Sequence, residues 1–169
     1  MNLCRRAFIL ILVAFAAIPA SAEDWTRFRG PNGSGIAQGT GYPSEFGPDL
    51  NVIWKASVRP GKSSPVLSDS HIFLTAFDDG QLFTQCFDRQ TGKLAWERSI
   101  ERSREADIHQ LNEPASVAPV TDGENVFVFF RDVGLISYDA AGKHRWTTPL
   151  GPFANFMGQS SAPILADGR

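Results

Sequence analysis

From residue 51 onward the chain alternates apolar and polar positions in short runs, with turn-forming residues between them. Residues 51–57 read as a strand, and Ser64-Pro65-Val66-Leu67 opens the next group. Residues 72–77 continue that group, Asp78-Asp79-Gly80 makes a tight turn, and residues 81–87 and 94–100 supply two further strands. The series then runs again. Ser116-Val117-Ala118-Pro119-Val120 matches the Ser64-Pro65-Val66 opening, Asp122-Gly123-Glu124 turns the chain, and residues 126–130, 135–138 and 144–148 are strands, stopped at Pro149. Ser161-Ala162-Pro163-Ile164-Leu165 opens a third series. Residues 126–130 are apolar on both faces, so both faces must be covered, as in a sheet packed between two others. No segment carries helical periodicity.

Within this texture one phrase recurs. Cys86-Phe87-Asp88-Arg89-Gln90-Thr91-Gly92-Lys93-Leu94-Ala95-Trp96 and Ser137-Tyr138-Asp139-Ala140-Ala141-Gly142-Lys143-His144-Arg145-Trp146 both read aromatic-Asp, a turn, Gly-Lys, two residues, Trp. Trp54, in Asn51-Val52-Ile53-Trp54-Lys55, resembles the tail of a third copy, and the Trp spacings are 42 and 50 residues. Self-similarity at that period predicts stacked sheets, because a four-stranded sheet cannot bury its faces alone. A large flat ring at a fixed place on the outer strand bridges neighbouring sheets, and its N–H needs a partner such as a backbone carbonyl of the adjacent turn. Gly92 and Gly142 give those turns positive φ without a Cβ clash. Asp88 and Asp139 are turn formers that hydrogen-bond their own backbone.

The first 22 of the 169 residues have a different character. Arg5 and Arg6 precede an apolar run over residues 7–18, and Ala20-Ser21-Ala22 fits a small-residue cleavage site. Residues 1–22 are therefore read as a signal peptide, and the run falls short of the roughly 20 residues needed to span a bilayer. Arg5-Arg6 also fits a twin-arginine signal, so either export route stays open. Removing Arg5 and Arg6 from 16 Lys+Arg leaves 14 against 18 Asp+Glu, a net charge of −4 with no basic footprint for nucleic acid. Without Cys4 the chain keeps one cysteine, Cys86, so it forms no internal disulfide and must rely on an apolar core. Cys86 itself reads as a small buried hydrophobe. Residues 23–50 form an irregular lead-in rich in Gly, Pro and Ser, pinned by Trp25, Phe28, Tyr42 and Phe46.

The two Asp…Gly-Lys-x-x-Trp hairpins resemble the tryptophan-docking repeat of quinoprotein-type, PQQ-like β-propellers, a family that includes BamB and the quinoprotein alcohol dehydrogenases. The resemblance is closest to exported BamB-like and planctomycete PQQ-like repeat proteins, which often carry a lead-in like Trp25-Thr26-Arg27-Phe28-Arg29-Gly30-Pro31 and a segment like Gly151-Pro152-Phe153. It implies an all-β propeller of four-stranded antiparallel blades, of which residues 51–169 hold about two: a strand at 51–57, blades at 64–100 and 115–150, and the start of another at 160–169. In such a family the 51–57 strand completes the last blade. The chain is then the N-terminal piece of a longer protein whose remaining blades lie elsewhere, the alternative being several short copies assembling a ring.

Candidate chemistry is sparse. Gly33-Ser34-Gly35 follows no strand and opens no helix, so it is no phosphate loop. Asn32-Gly33-Ser34 fits a glycosylation acceptor in a eukaryotic host alone. His71 and His144 read as exposed, and residues 97–105 as a solvated mixed-charge connector. The best cluster is His109, Asn112 and Glu113, placed by the resemblance at one mouth of the central channel, where they contact a ligand or cap the loop. A PQQ dehydrogenase needs a quinone sandwich, calcium and a catalytic Asp. The resemblance carries none of these onto this chain, so no catalytic, cofactor or metal residue is assigned. The implied function is a non-catalytic, exported, periplasmic or extracellular bacterial scaffold for a protein partner, with no membrane span after cleavage. The alternative is part of a periplasmic PQQ- and calcium-dependent dehydrogenase.

Overall fold

Each hairpin series folds into one antiparallel four-stranded meander in the computed structural model, which describes residues 23–166. The signal-peptide reading of residues 1–22 lies outside the described residues. The first sheet has the order β1-β2-β3-β4, from β1 (Val66–Leu67), β2 (His71–Asp78), β3 (Gln81–Asp88) and β4 (Leu94–Ile100). The second repeats it with β5 (Val120–Thr121), β6 (Asn125–Phe130), β7 (Gly134–Asp139) and β8 (His144–Pro149). Among the described residues there is no helix, and the two sheets are adjacent blades of a partial β-propeller. The β2–β3 hairpin closes on Asp79 and Gly80 at φ 47° and 77°, the doubly positive pair that a two-residue turn between right-twisted strands requires.

One core runs through both blades. Phe73, Leu82 and Cys86 of the first sheet and Val126, Val128, Phe130 and Ile136 of the second are all essentially inaccessible. The rings of Phe73, Trp96 and Tyr138 lie in sequence across the junction, with centroids 6.0 and 5.8 Å apart. On β6, Val126, Val128, Phe129 and Phe130 are buried, and Phe127 is half-buried against Trp146. Both faces of this strand are therefore covered, as its apolar pattern requires.

Two segments depart from the sequence reading. Residues 51–57 form no strand, and Ile53 is 91% exposed. Alternation alone does not make a strand, because the ladder needs a neighbour to receive its hydrogen bonds and no described segment lies alongside. Residues 160–166 likewise carry no strand.

Candidate functional site

The recurring Trp and the recurring turn are two halves of one joint. Trp96 donates its Nε1–H to the carbonyl of Ala140 at 2.8 Å, and Trp54 donates to that of Arg89 at 3.1 Å. Arg89 and Ala140 are the residues directly after Asp88 and Asp139. A Cβ at Gly142 would stand 2.5 Å from the Trp96 ring, and one at Gly92 would run into Trp54. Each Asp-to-Gly turn is thus the socket for the Trp that precedes it in the chain. Glycine serves both the turn, at φ 69° and 78°, and the flat seat for the ring. Asp88 Oδ1 accepts from the amide and hydroxyl of Thr91, and Asp139 Oδ1 accepts from the amide of Lys143. Arg98 adds a clamp at the Trp96 joint by donating to Gly142 O at 2.7 Å. Trp146 meets no turn among the described residues; it lies against Phe127 and stays 36% exposed.

A β-bulge aims each Trp. Cys86 pairs with Trp96 and Phe87 with Leu94, leaving Ala95 as the extra residue; Ser137 pairs with Trp146 and Tyr138 with His144, leaving Arg145. The two residues between Gly-Lys and Trp therefore encode a bulge just before both Trp96 and Trp146, and at Trp96 the ring reaches the socket of the second blade. Cys86 is buried beneath the joint, and burial pushes its thiol up to about 12.

At the connector end, Arg59 holds the incoming segment on the first blade. It makes a bidentate pair with Glu97 (3.0 and 2.9 Å), reaches Asp78 at 2.8 Å, and stacks 3.8 Å from the Phe83 ring. The Arg59 guanidinium holds the Glu97 carboxyl below the ordinary glutamate range, against the opposing effect of burial. A depressed folded value means that the pair contributes stability above the ordinary glutamate range and loses it as pH falls through the folded value. Melting temperature is therefore expected to drop on acidification. Glu97→Gln removes that part of the drop, a difference of no more than about 1 kcal/mol, or a few degrees.

His109, Asn112 and Glu113 bond to the neighbouring connectors, and Asn112 and Glu113 also line a polar cavity. The His109 amide donates to Phe156 O at 2.8 Å, its ring meets the Phe156 ring edge-on at 5.7 Å, and its Nδ1 accepts from the Leu111 amide. Asn112 donates through Nδ2 to Met157 O, and Glu113 accepts the Lys62 amide at 2.6 Å. That cavity, of about 520 Å³, is lined by Asn112 and Glu113 together with Arg102, Glu105, Asp107 and Gln110 among others. No group of three His, Cys, Asp or Glu side chains arranged to hold a metal occurs among the described residues. His71 is half-buried and stacked on Phe73, while His144 is exposed and bonded to Thr147.

The reading of residues 97–105 as a solvated loop needs correction. Glu97 belongs to β4, and the Arg102 side chain is only 12% exposed, 2.7 Å from the fully buried Asp132. Ser103 and Arg104 donate to the Asp132 and Arg131 carbonyls. The signal that would have found them is Arg131-Asp132, two charges set directly after an apolar strand.

Residues 48–169 match the family described as Outer membrane protein assembly factor BamB. No curated protein matches the chain. Among solved structures it is similar to BamB from Moraxella catarrhalis, at 13% identity and a TM-score of 0.37, over 64% of this chain and 31% of that one. The match thus spans less than a third of that protein's length. Among the described residues no helix is long and apolar enough to cross a membrane.

Proposed function

The chain belongs to the BamB family of PQQ-like repeat proteins, and from that premise we propose that it is a non-catalytic exported propeller module that binds a protein partner at the cell envelope. The observation that carries this reading is an apolar cluster on the connector loops: Leu111, Phe156 and Met157 are 70%, 61% and 57% exposed. Exposed apolar side chains grouped on loops mark interaction surfaces, and an unbranched Met adapts to the surface it meets. The loops that present them are tied by the His109 amide to Phe156 O and by the Asn112 side-chain amide to Met157 O, which lowers the ordering cost of association. His109, Asn112 and Glu113 on this reading support a binding surface and do no chemistry themselves.

The test is site-specific photo-cross-linking in cells. Cross-linkers at positions 111 and 157 of the full protein are expected to give the same discrete adduct. One at Phe46, which is 80% exposed on the lead-in, should give none. Absence of an adduct at both loop positions overturns the reading. So does dye-linked alcohol oxidation by the full protein after addition of PQQ and calcium.

A further inference from the structure

The inner strands β1 and β5 carry equivalent free groups. Val66 and Val120 pair inward to Phe73 and Phe127, so the next residues, Leu67 and Thr121, turn their amides away from their own sheets. Both amides are satisfied by the lead-in. Leu67 N–H donates to Trp25 O, Trp25 N–H returns a bond to Leu67 O, and Thr121 N–H donates to Thr26 O, each at 2.9 Å. Consecutive carbonyls of an extended chain point in opposite directions. The dipeptide Trp25-Thr26 thus gives one carbonyl to each blade, at inner strands whose Cα atoms already approach within 8 Å of one another.

We propose that residues 23–30 form an inter-blade strap, in which Trp25 bonds β1 and Thr26 bonds β5 ahead of a turn at 27–30, and that it joins the two blades independently of the Trp96 joint and covers the outward backbone groups of Leu67 and Thr121. The strap is locked at each end. Arg89 donates to Glu23 O at 2.9 Å, to Ser68 O at 2.6 Å and to Asp24 Oδ1 at 3.2 Å. The turn that follows folds Gly30, at φ 77°, onto the Trp25 ring, where a Cβ would stand 2.8 Å away. Unpaired strand edges recruit other chains, so covering both with the protein's own backbone removes that hazard. A partner that binds by adding a strand is thereby kept off this side and left with surfaces such as the connector loops. The strap itself does not depend on the envelope reading.

Amide hydrogen exchange tests it without that reading. In the unaltered protein the Trp25, Leu67 and Thr121 amides are expected to share one opening event, with protection factors within about threefold of one another. Thr121 or Leu67 outlasting Trp25 by more than about tenfold overturns the proposal. Gly30→Val should dislodge the turn, lowering protection at Leu67 and Thr121 by about tenfold or more while β2–β3 and β6–β7 amides hold. Unchanged protection at both positions in that variant is equally contrary. If Gly30→Val instead unfolds the blades, the unaltered-protein comparison decides alone. In sedimentation velocity, the dislodged variant should gain concentration-dependent larger species; a profile matching the unaltered protein removes the edge-closing role.

Discussion

Replacing Trp96 with alanine is expected to destabilise the protein by about 3–5 kcal/mol, measured by denaturant unfolding followed in the far ultraviolet. The ring is 8% exposed and lies between Phe73 and Tyr138, so its removal opens a cavity at the junction rather than at the surface. An indole buries about 150–250 Å², worth up to roughly 4–6 kcal/mol by area, and the lost bond to Ala140 O adds about 1 kcal/mol. A compact unfolded state returns part of that sum. Trp96→Phe separates the contributions: it keeps most of the ring, gives up the Nε1–H, and should cost about 1–2 kcal/mol. The socket side predicts a matching loss. Gly142→Val puts a Cβ 2.5 Å from the ring at φ 78°, so it is strained twice. Combined with Trp96→Ala, its steric part disappears and its backbone part remains, so the double variant should be less destabilised than the sum by about 1–3 kcal/mol. Strict additivity, or a melting curve unmoved by Trp96→Ala, removes the joint.

What was legible in the chain follows from where the information sits. Strands that find their partners within the same hairpin series are local, and their alternation and Gly-containing turns placed β2, β3, β4 and β6 to within a residue or two. Residues 51–57 carry the same alternation, yet no described strand pairs with them, so pattern and pairing part company there. Trp54 nonetheless docks, because a ring needs only its socket and not a ladder. The Trp repeat disclosed the joint, with Gly92 and Gly142 among its docking residues, and only the fold shows that a Cβ at either would meet the ring itself. The strap is carried by backbone groups of two residues, and side-chain identity says nothing about where a carbonyl points. Among the candidate site residues, His109, Asn112 and Glu113 were conspicuous by chemical type. Type does not reveal whether a polar group faces a ligand or the neighbouring loop, and here each has a loop partner. Arg102 and Arg104 were obscured for the opposite reason: a run of mixed charges has the composition of a solvated loop, and only the fold shows which of them turn inward.

Asp132→Ala is the second large effect, expected to destabilise the protein by about 3–5 kcal/mol. Asp132 is 1% exposed at the β6–β7 turn, and its Oδ2 takes the Arg102 Nε–H at 2.7 Å. Its Oδ1 has no hydrogen-bond partner; Arg131 Nε stands 4.0 Å away, close enough to act through charge alone. Arg131 is itself 4% exposed and is otherwise satisfied by the carbonyls of Asp107 and Phe153. Asp132 thus faces two guanidinium groups in a place that water barely reaches, while the exposed Glu105 also pairs with Arg102 at 3.3 Å. Deleting Asp132 leaves the buried Arg131 without a carboxylate and Arg102 with only the exposed Glu105, and that penalty exceeds the worth of the pair. The same reasoning predicts a rescue. In Asp132→Ala combined with Arg102→Met, the methionine keeps apolar contact with Phe77, over whose ring the guanidinium now lies at 5.4 Å, and one of the two charges that faced Asp132 is gone. The double variant should therefore recover part of the lost stability, the part due to Arg102, while Arg131 stays unbalanced. Failure to recover would mean that Asp132 acts by shaping the turn rather than by balancing charge. Asp132→Asn then distinguishes the two roles, since the amide preserves the shape and an acceptor for Arg102 but not the charge. A loss close to that of alanine points to charge, and near-neutrality points to shape.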